Sequence, residues 1–242
     1  MKAIICITIL FLINIPVSFS QSSIDYGTAT GLIIQSGADV CADKININGT
    51  YTGGGTMCGS SAYIMNITAF IEGFYDSTLN VMVSDTARAY LRNSTFPYAI
   101  VDSSKSKLDA SGSATFNFPN AVNGTSYYLV IKQRNSIETW SNSGNSFSSN
   151  FLAYNFSNAI TKAYGNNLKL IDSSPTRYGI FSGDPNQDGF VNLADLIKVF
   201  NDGTIFLTGY VPSDINGNNV VNLIDLLITQ NNSSGFVTVV KP

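Results

Sequence analysis

Histidine is absent from all 242 residues, and Asp, Glu, Lys and Arg together make up only 12% of them. Without histidine there is no Ser-His-Asp or Cys-His triad, no imidazole general base, and no ordinary catalytic zinc site. Glutamate is nearly absent too, with only Glu72 and Glu138. Glycoside hydrolysis needs two carboxyl groups facing each other across a cleft. Glu72 falls within a predicted strand, and Asp76, Asp85, Asp102 and Asp109 fall near predicted turns, so the sequence reads as non-catalytic. No cluster of Lys or Arg marks a nucleic-acid surface. Past residue 20 no apolar run is long enough for a membrane span.

Cysteine is scarce as well: Cys6, Cys41 and Cys58. The first lies in "MKAIICITILFLINIPVSFSQSS", which has one Lys, an apolar run from Ala3 to Ile15, Pro16 and the small-x-small step Ser18-Phe19-Ser20. That layout predicts a signal peptide over residues 1–20, and hence a secreted, extracellular or cell-surface protein. In an oxidising compartment Cys41 and Cys58 can form one bridge or stay as two free thiols.

What the chain does have is strand signal. Residues 21–62 alternate short apolar pieces with Gly, Asn and Thr turns, giving a strand-rich N-terminal extension. This stretch resembles the last coils of secreted β-solenoids, and a plain extension accounts for it equally well. Residues 63–178 carry aromatic and β-branched runs ("NITAFIEGFY", "TARAYLRN", "ATFNFP", "TSYYLVIKQRN", "IETWS", "FLAYNF", "NNLKLID"). Helical periodicity is nearly missing there, which predicts a mainly β fold, an antiparallel β-sandwich. Within it, "GSATFNFPNAVNGTSYYLVIK" resembles the strand, turn and strand of transthyretin-like or collagen-binding B-type modules. Tyr127, Tyr128, Trp140 and Tyr154 are candidates for a carbohydrate platform, but strand aromatics more often lie in the core, and alternation leaves at most one of Tyr127 and Tyr128 facing solvent.

The remaining segment, 179–242, differs in charge. From Asp184 onward there are six acids and two bases, whereas residues 21–183 carry ten of each. The acids belong to a tandem repeat. "GDPNQDGFVNLADL" (183–196) returns 30 residues later as "SDINGNNVVNLIDL" (213–226), and the trailing pieces "NDGTIFLTGY" and "NNSSGFVTVV" stay in phase. Counted from the first Asp, oxygen-bearing side chains fall at positions 1, 3, 5, 9 and 12. Position 7, Phe190 or Val220, offers its backbone carbonyl. A twelve-residue loop with this spacing wraps six or more hard oxygens around one calcium ion. Position 6 must turn sharply, which suits Gly189 and, next best, Asn219. Leu193, Leu196, Ile197 and Phe200, then Leu223, Leu226 and Leu227, predict a short helix leaving each loop.

Each loop has an exiting helix and no entering one. Two such half EF-hands in an exported chain resemble the type I dockerin module. Carried over position by position, the resemblance implies a first calcium site of Asp184, Asn186, Asp188, Phe190, Asn192 and Asp195. The second is Asp214, Asn216, Asn218, Val220, Asn222 and Asp225. It also implies docking to a cohesin-like protein in an extracellular, polysaccharide-degrading bacterial assembly, with contacts from positions 10 and 11, here Leu193-Ala194 and Leu223-Ile224. The alternative is structural: the calcium pair caps its own β-sandwich in a surface or filament protein. The short link from Asp172 to Ser182 favours that alternative. The first loop has three carboxylates and the second two, so the first is expected to bind calcium more tightly.

Overall fold

A computed structural model describes residues 63–242 throughout. Before them it describes the backbone of six short strands, Ser23–Tyr26, Leu32–Ile33, Asp39–Val40, Lys44–Ile47, Tyr51–Thr52 and Thr56–Met57. The predicted signal peptide and the Cys41–Cys58 pair lie outside the described residues. The six strands pair in parallel, the first with the fourth, the second with the fifth and the third with the sixth. Parallel pairing in unchanged order is what a chain produces when one coil lies on the next.

The chain divides into two compact units, 1–60 and 61–242. The second unit is mainly β with two helices. We label its longer strands β1 (Tyr63–Thr68), β2 (Asp85–Asn93), β3 (Ile100–Leu108), β4 (Ser113–Phe118), β5 (Ser126–Gln133), β6 (Phe151–Asn155), β7 (Lys169–Ser173) and β8 (Thr176–Ile180). One sheet runs β3-β2-β5 and continues into Thr139–Trp140, all antiparallel. A second runs β4-β1-β6, with β6 parallel to β1. A third joins β7 and β8 to Phe70–Ile71.

Alternation decides which side chains go inside. Ala87, Ala89 and Leu91 of β2, Met65 and Ile67 of β1, Phe116 and Phe118 of β4, and Leu129 and Ile131 of β5 share one buried cluster. Burying a side chain of this size contributes about 1.5–3 kcal/mol, so this cluster dominates the stability of the unit. β3, "IVDSSKSKL", is an edge strand with exposed Lys105 and Lys107, the composition that keeps an open edge from pairing with another chain. Its serines and lysines hide it from a reading based on apolar runs. Glu72, placed by the sequence within a strand, instead opens a single 3-10 turn, Glu72–Phe74.

The helices are α1 (Leu193–Thr204) and α2 (Leu223–Ser234). β8 runs across residue 178, where the sequence reading divides sandwich from calcium module, and leads into the first loop with no separate linker. Val191 of that loop joins the main core, while Val199, Ile215 and Val221 form a smaller one with Leu207, Val211, Leu226 and Ile228 around them.

Candidate metal centre

Each loop is shaped by its own side chains. In the first, Asn186 Oδ1 accepts from Asp188 N at 2.9 Å, Asp188 Oδ1 from Phe190 N at 2.9 Å, and Asp184 Oδ2 from Gly189 N at 3.1 Å. In the second, Asn216 Oδ1 accepts from Asn218 N at 3.0 Å, Asn218 Oδ1 from Val220 N at 2.9 Å, and Asp214 Oδ2 from Asn219 N at 3.1 Å. Such Asx turns pull every second oxygen to the concave side. Position 6 turns left-handed in both loops, with Gly189 at φ 88° and Asn219 at φ 67°. Position 4 does so as well, with Gln187 at φ 63° and Gly217 at φ 76°, a requirement the ligand spacing did not reveal.

Position 12 is fixed by a capping box. Asn192 Oδ1 accepts from Ala194 N at 2.7 Å while Asp195 Oδ2 accepts from Asn192 N at 3.0 Å. Asn222 and Asp225 repeat this at α2. The Asn at position 9 is therefore engaged as a helix cap and has one lone pair left for an ion or a water.

The loops close on each other reciprocally. Val191 N donates to Val237 O at 2.8 Å and Val239 N to Gly189 O at 2.9 Å; Val221 N donates to Leu207 O at 2.8 Å and Gly209 N to Asn219 O at 2.9 Å. Position 7 thus faces Thr238 in the first loop and Thr208 in the second. The segment behind each helix pairs with the loop of the other repeat, which accounts for the trailing pieces staying in phase. Neither bond of the first bridge uses the Phe190 carbonyl, whereas Val220 O accepts from Asn222 Nδ2 at 3.3 Å.

Carboxylate oxygens of Asp184, Asp188 and Asp195 lie within 4.8 Å of one another. Asp184 is 1% exposed, and its Oδ1 has no hydrogen-bond partner among the described residues. Burial, followed by the nearby Asp195 and Asp188 charges, pushes the Asp184 carboxyl up to about 7, despite the donor at Gly189. Burial also raises Asp195. A buried carboxylate with a free lone pair, crowded by two others, is a costly arrangement unless a cation joins it. The groups brought together are carboxylate oxygens, with no sulfur or imidazole, and such hard donors suit calcium or magnesium rather than zinc. The first loop therefore fits the ion.

The second loop brings together Asp214 and Asp225, both buried. Asp225 Oδ1 accepts from Ile215 N and Asn216 N at 2.7 and 3.0 Å, and burial raises its carboxyl. Asp214 has a partner that no local motif announces, Arg134 at the end of β5, with Nη2 3.2 Å from Asp214 Oδ2. Three further side chains join the loops and helices to the β strands. Asn135 Nδ2 donates to Asp214 O at 2.7 Å, while Asn135 O accepts from Asp184 N at 2.9 Å. Glu72 Oε2 accepts from Asn232 Nδ2 at 2.5 Å and from Ser182 N at 3.1 Å. Gln187 Nε2 donates to Ser136 O at 3.1 Å.

Most of the apolar stripe predicted on the helices faces outward, while Leu196 and Leu226 are half-buried, Leu226 against the smaller core. Leu193, Ile197, Phe200, Leu223, Ile224 and Leu227 are all more than half exposed, and a shallow groove runs between α1 and α2 past Phe200, Phe206 and Leu223. The buried helix positions are Asp195 and Val199 in α1 and Asp225, Thr229 and Asn232 in α2. The candidate sugar platform does not assemble: Tyr127 and Trp140 are buried, and Tyr128 meets Tyr98, Trp140 and Tyr164 edge-on rather than in a flat row. No protein-family model matches the chain, and no curated protein matches it.

Proposed function

We propose that residues 183–239 form a dockerin-like module that binds two calcium ions. On this reading the module is mounted on a β-sandwich and presents a docking surface outside the cell. The observation that carries the reading is the buried Asp184, its Oδ1 unpartnered among the described residues, brought together with Asp188 and Asp195 in a loop whose spacing recurs 30 residues on. Calcium would supply the countercharge that lets these carboxylates stay ionised. The chain's own contribution is to hold the oxygens on one side through Asx turns and the capping boxes.

The docking surface is the outward apolar face of α1 and α2. Six large apolar side chains standing together in water are costly without a partner, and patches of this kind mark interaction sites. It includes positions 10 and 11 of both loops, and the partner it fits is a cohesin-like sheet surface. Titration of the full chain against cohesin domains, with calcium and with chelator, tests this. Calcium-dependent binding abolished by Leu223→Asp supports docking, and the absence of binding across a panel of cohesins refutes it.

A second reading, that the module caps its own sandwich, is favoured by the buried polar contacts of Glu72, Arg134 and Asn135. The two readings use opposite sides of the module. If calcium raises the unfolding temperature of the strands and the loops together, the cap is integral; separate transitions would leave docking alone.

A further inference from the structure

The two loops form a matched pair that differs in what the Asp at position 1 meets as well as in the number of carboxylates. Their Asx turns, capping boxes and reciprocal bridges coincide position by position, yet the Asp at position 1 meets no cation in the first loop and meets Arg134 in the second. The guanidinium is built in. Its Nε lies 2.9 Å from Asp85 Oδ2 and its Nη2 3.2 Å from Asp214 Oδ2, while Nη1 donates to Val211 O. Its central carbon lies over the rings of Phe74 and Tyr210, 5.2 and 4.3 Å from their centroids. Tyr210 in turn donates to Asp85 Oδ1 at 2.7 Å. Asp85 and Asp214 are 4% and 0% exposed, and among the described residues Arg134 is the cation that each of them meets. The fork of the guanidinium serves three acceptors at once, a role a lysine ammonium lacks the geometry for.

Phe74 also presses on the second loop. A Cβ on Gly217 would come within 2.5 Å of its ring, and one on Gly73 within 2.3 Å of Ile215 O. The second loop is therefore seated on the Glu72–Phe74 turn and on Arg134, just past β5, through Asp214, Ile215 and Gly217.

We propose that Arg134 is a resident cation for the second loop, holding it in calcium-ready form without the ion, so that the first loop alone depends on calcium to be ordered. The inference rests on the calcium reading of both loops and makes Arg134 a positioning residue rather than a ligand.

Hydrogen exchange on the full chain, in chelator and in millimolar calcium, tests it through equivalent amides. These are Asp188, Gly189 and Phe190 in the first loop against Asn218, Asn219 and Val220 in the second. In chelator the first set should exchange at least about tenfold faster than the second, and calcium should remove the difference. In Arg134→Met the second set should become as fast as the first in chelator and recover with calcium; Arg134→Lys should fall between. Recovery with calcium separates lost positioning from misfolding, and the chelator comparison in the unmodified chain stands even if Arg134→Met does not fold. Equal exchange of both sets in chelator, or no change in Arg134→Met, overturns the proposal while leaving the calcium reading intact. Exchange indifferent to calcium in both loops overturns the calcium reading and the proposal together.

Discussion

Replacing Asp184 with Asn keeps the size of the side chain and an acceptor for Gly189 N, and removes the charge. Asp184 is 1% exposed, lacks a partner at Oδ1 and sits among Asp188 and Asp195. Its carboxyl stands at about 7 against an ordinary 3.8. At about 1.36 kcal/mol per pH unit, holding that charge above pH 7 costs at most about 4 kcal/mol. Relaxation leaves a realistic gain of about 1–3 kcal/mol for Asp184→Asn in chelator at pH 8, which is about 5 °C in unfolding temperature. With calcium the order inverts. At 1 mM calcium and a Kd of about 10 μM the ion adds about 2.7 kcal/mol to the wild-type chain, and the variant forfeits most of it.

The pH dependence follows from the same group. A carboxyl raised in the folded state binds more protons there than when unfolded, so stability in chelator rises as pH falls from 8 through about 7 toward 4. The increment due to calcium shrinks over that range, because protons compete for Asp184. Thermal unfolding of both chains at pH 6 and 8, each with calcium and chelator, gives eight melting points. An Asp184→Asn chain less stable than wild type in chelator at pH 8, and stabilised by calcium as much as wild type, would refute the reasoning.

Calorimetry should resolve two calcium sites, the three-carboxylate first loop tighter than the second, and Asp195→Asn should weaken the tighter one. Gly217→Ala should cost about 1–3 kcal/mol in urea unfolding, since its Cβ would meet Phe74 at 2.5 Å. Gly124→Ala, at a similar φ of 76° with no atom within 4 Å, should cost about 1 kcal/mol or less. Glu72→Ala leaves the donors at Ser182 N and Asn232 without their acceptor and should cost about 1–3 kcal/mol, read in the same assay. Leu223→Asp, on a side chain 75% exposed, should change stability by under about 0.5 kcal/mol.

The loops were legible because the spacing of oxygen-bearing side chains, the Asx turns and the helix caps are all local. Every second residue from Asp184 to Asp188 and the Asn-Asp box at each helix start can be read within a dozen positions. The strands of β1, β2, β4 and β5 showed for a similar reason, since alternation along one segment decides which side is buried. What escaped depends on residues far apart in the chain. Arg134 meets Asp214 across 80 positions and Glu72 meets Asn232 across 160, and nothing beside either residue marks it as a partner. The periodicity put the apolar residues of each helix on one face without fixing where that face points, because the direction depends on what the rest of the chain packs against; Asp195 and Asp225 are buried, while Leu193, Ile197, Phe200, Leu223 and Leu227 are more than half exposed.

The reciprocal bridges impose an order of assembly. As the chain is made, the second loop can find its closing segment, Leu207 to Gly209, already present, because that stretch precedes it. The first loop must wait for Val237 to Val239, which arrive almost fifty residues later. A chain stopped after α2 would carry a finished second loop and an unroofed first one, leaving Asp184 as a free charge with nothing to hold its cage shut. The loop that carries the unpartnered Asp184 Oδ1 is thus the last to be completed, once synthesis has run past Val239.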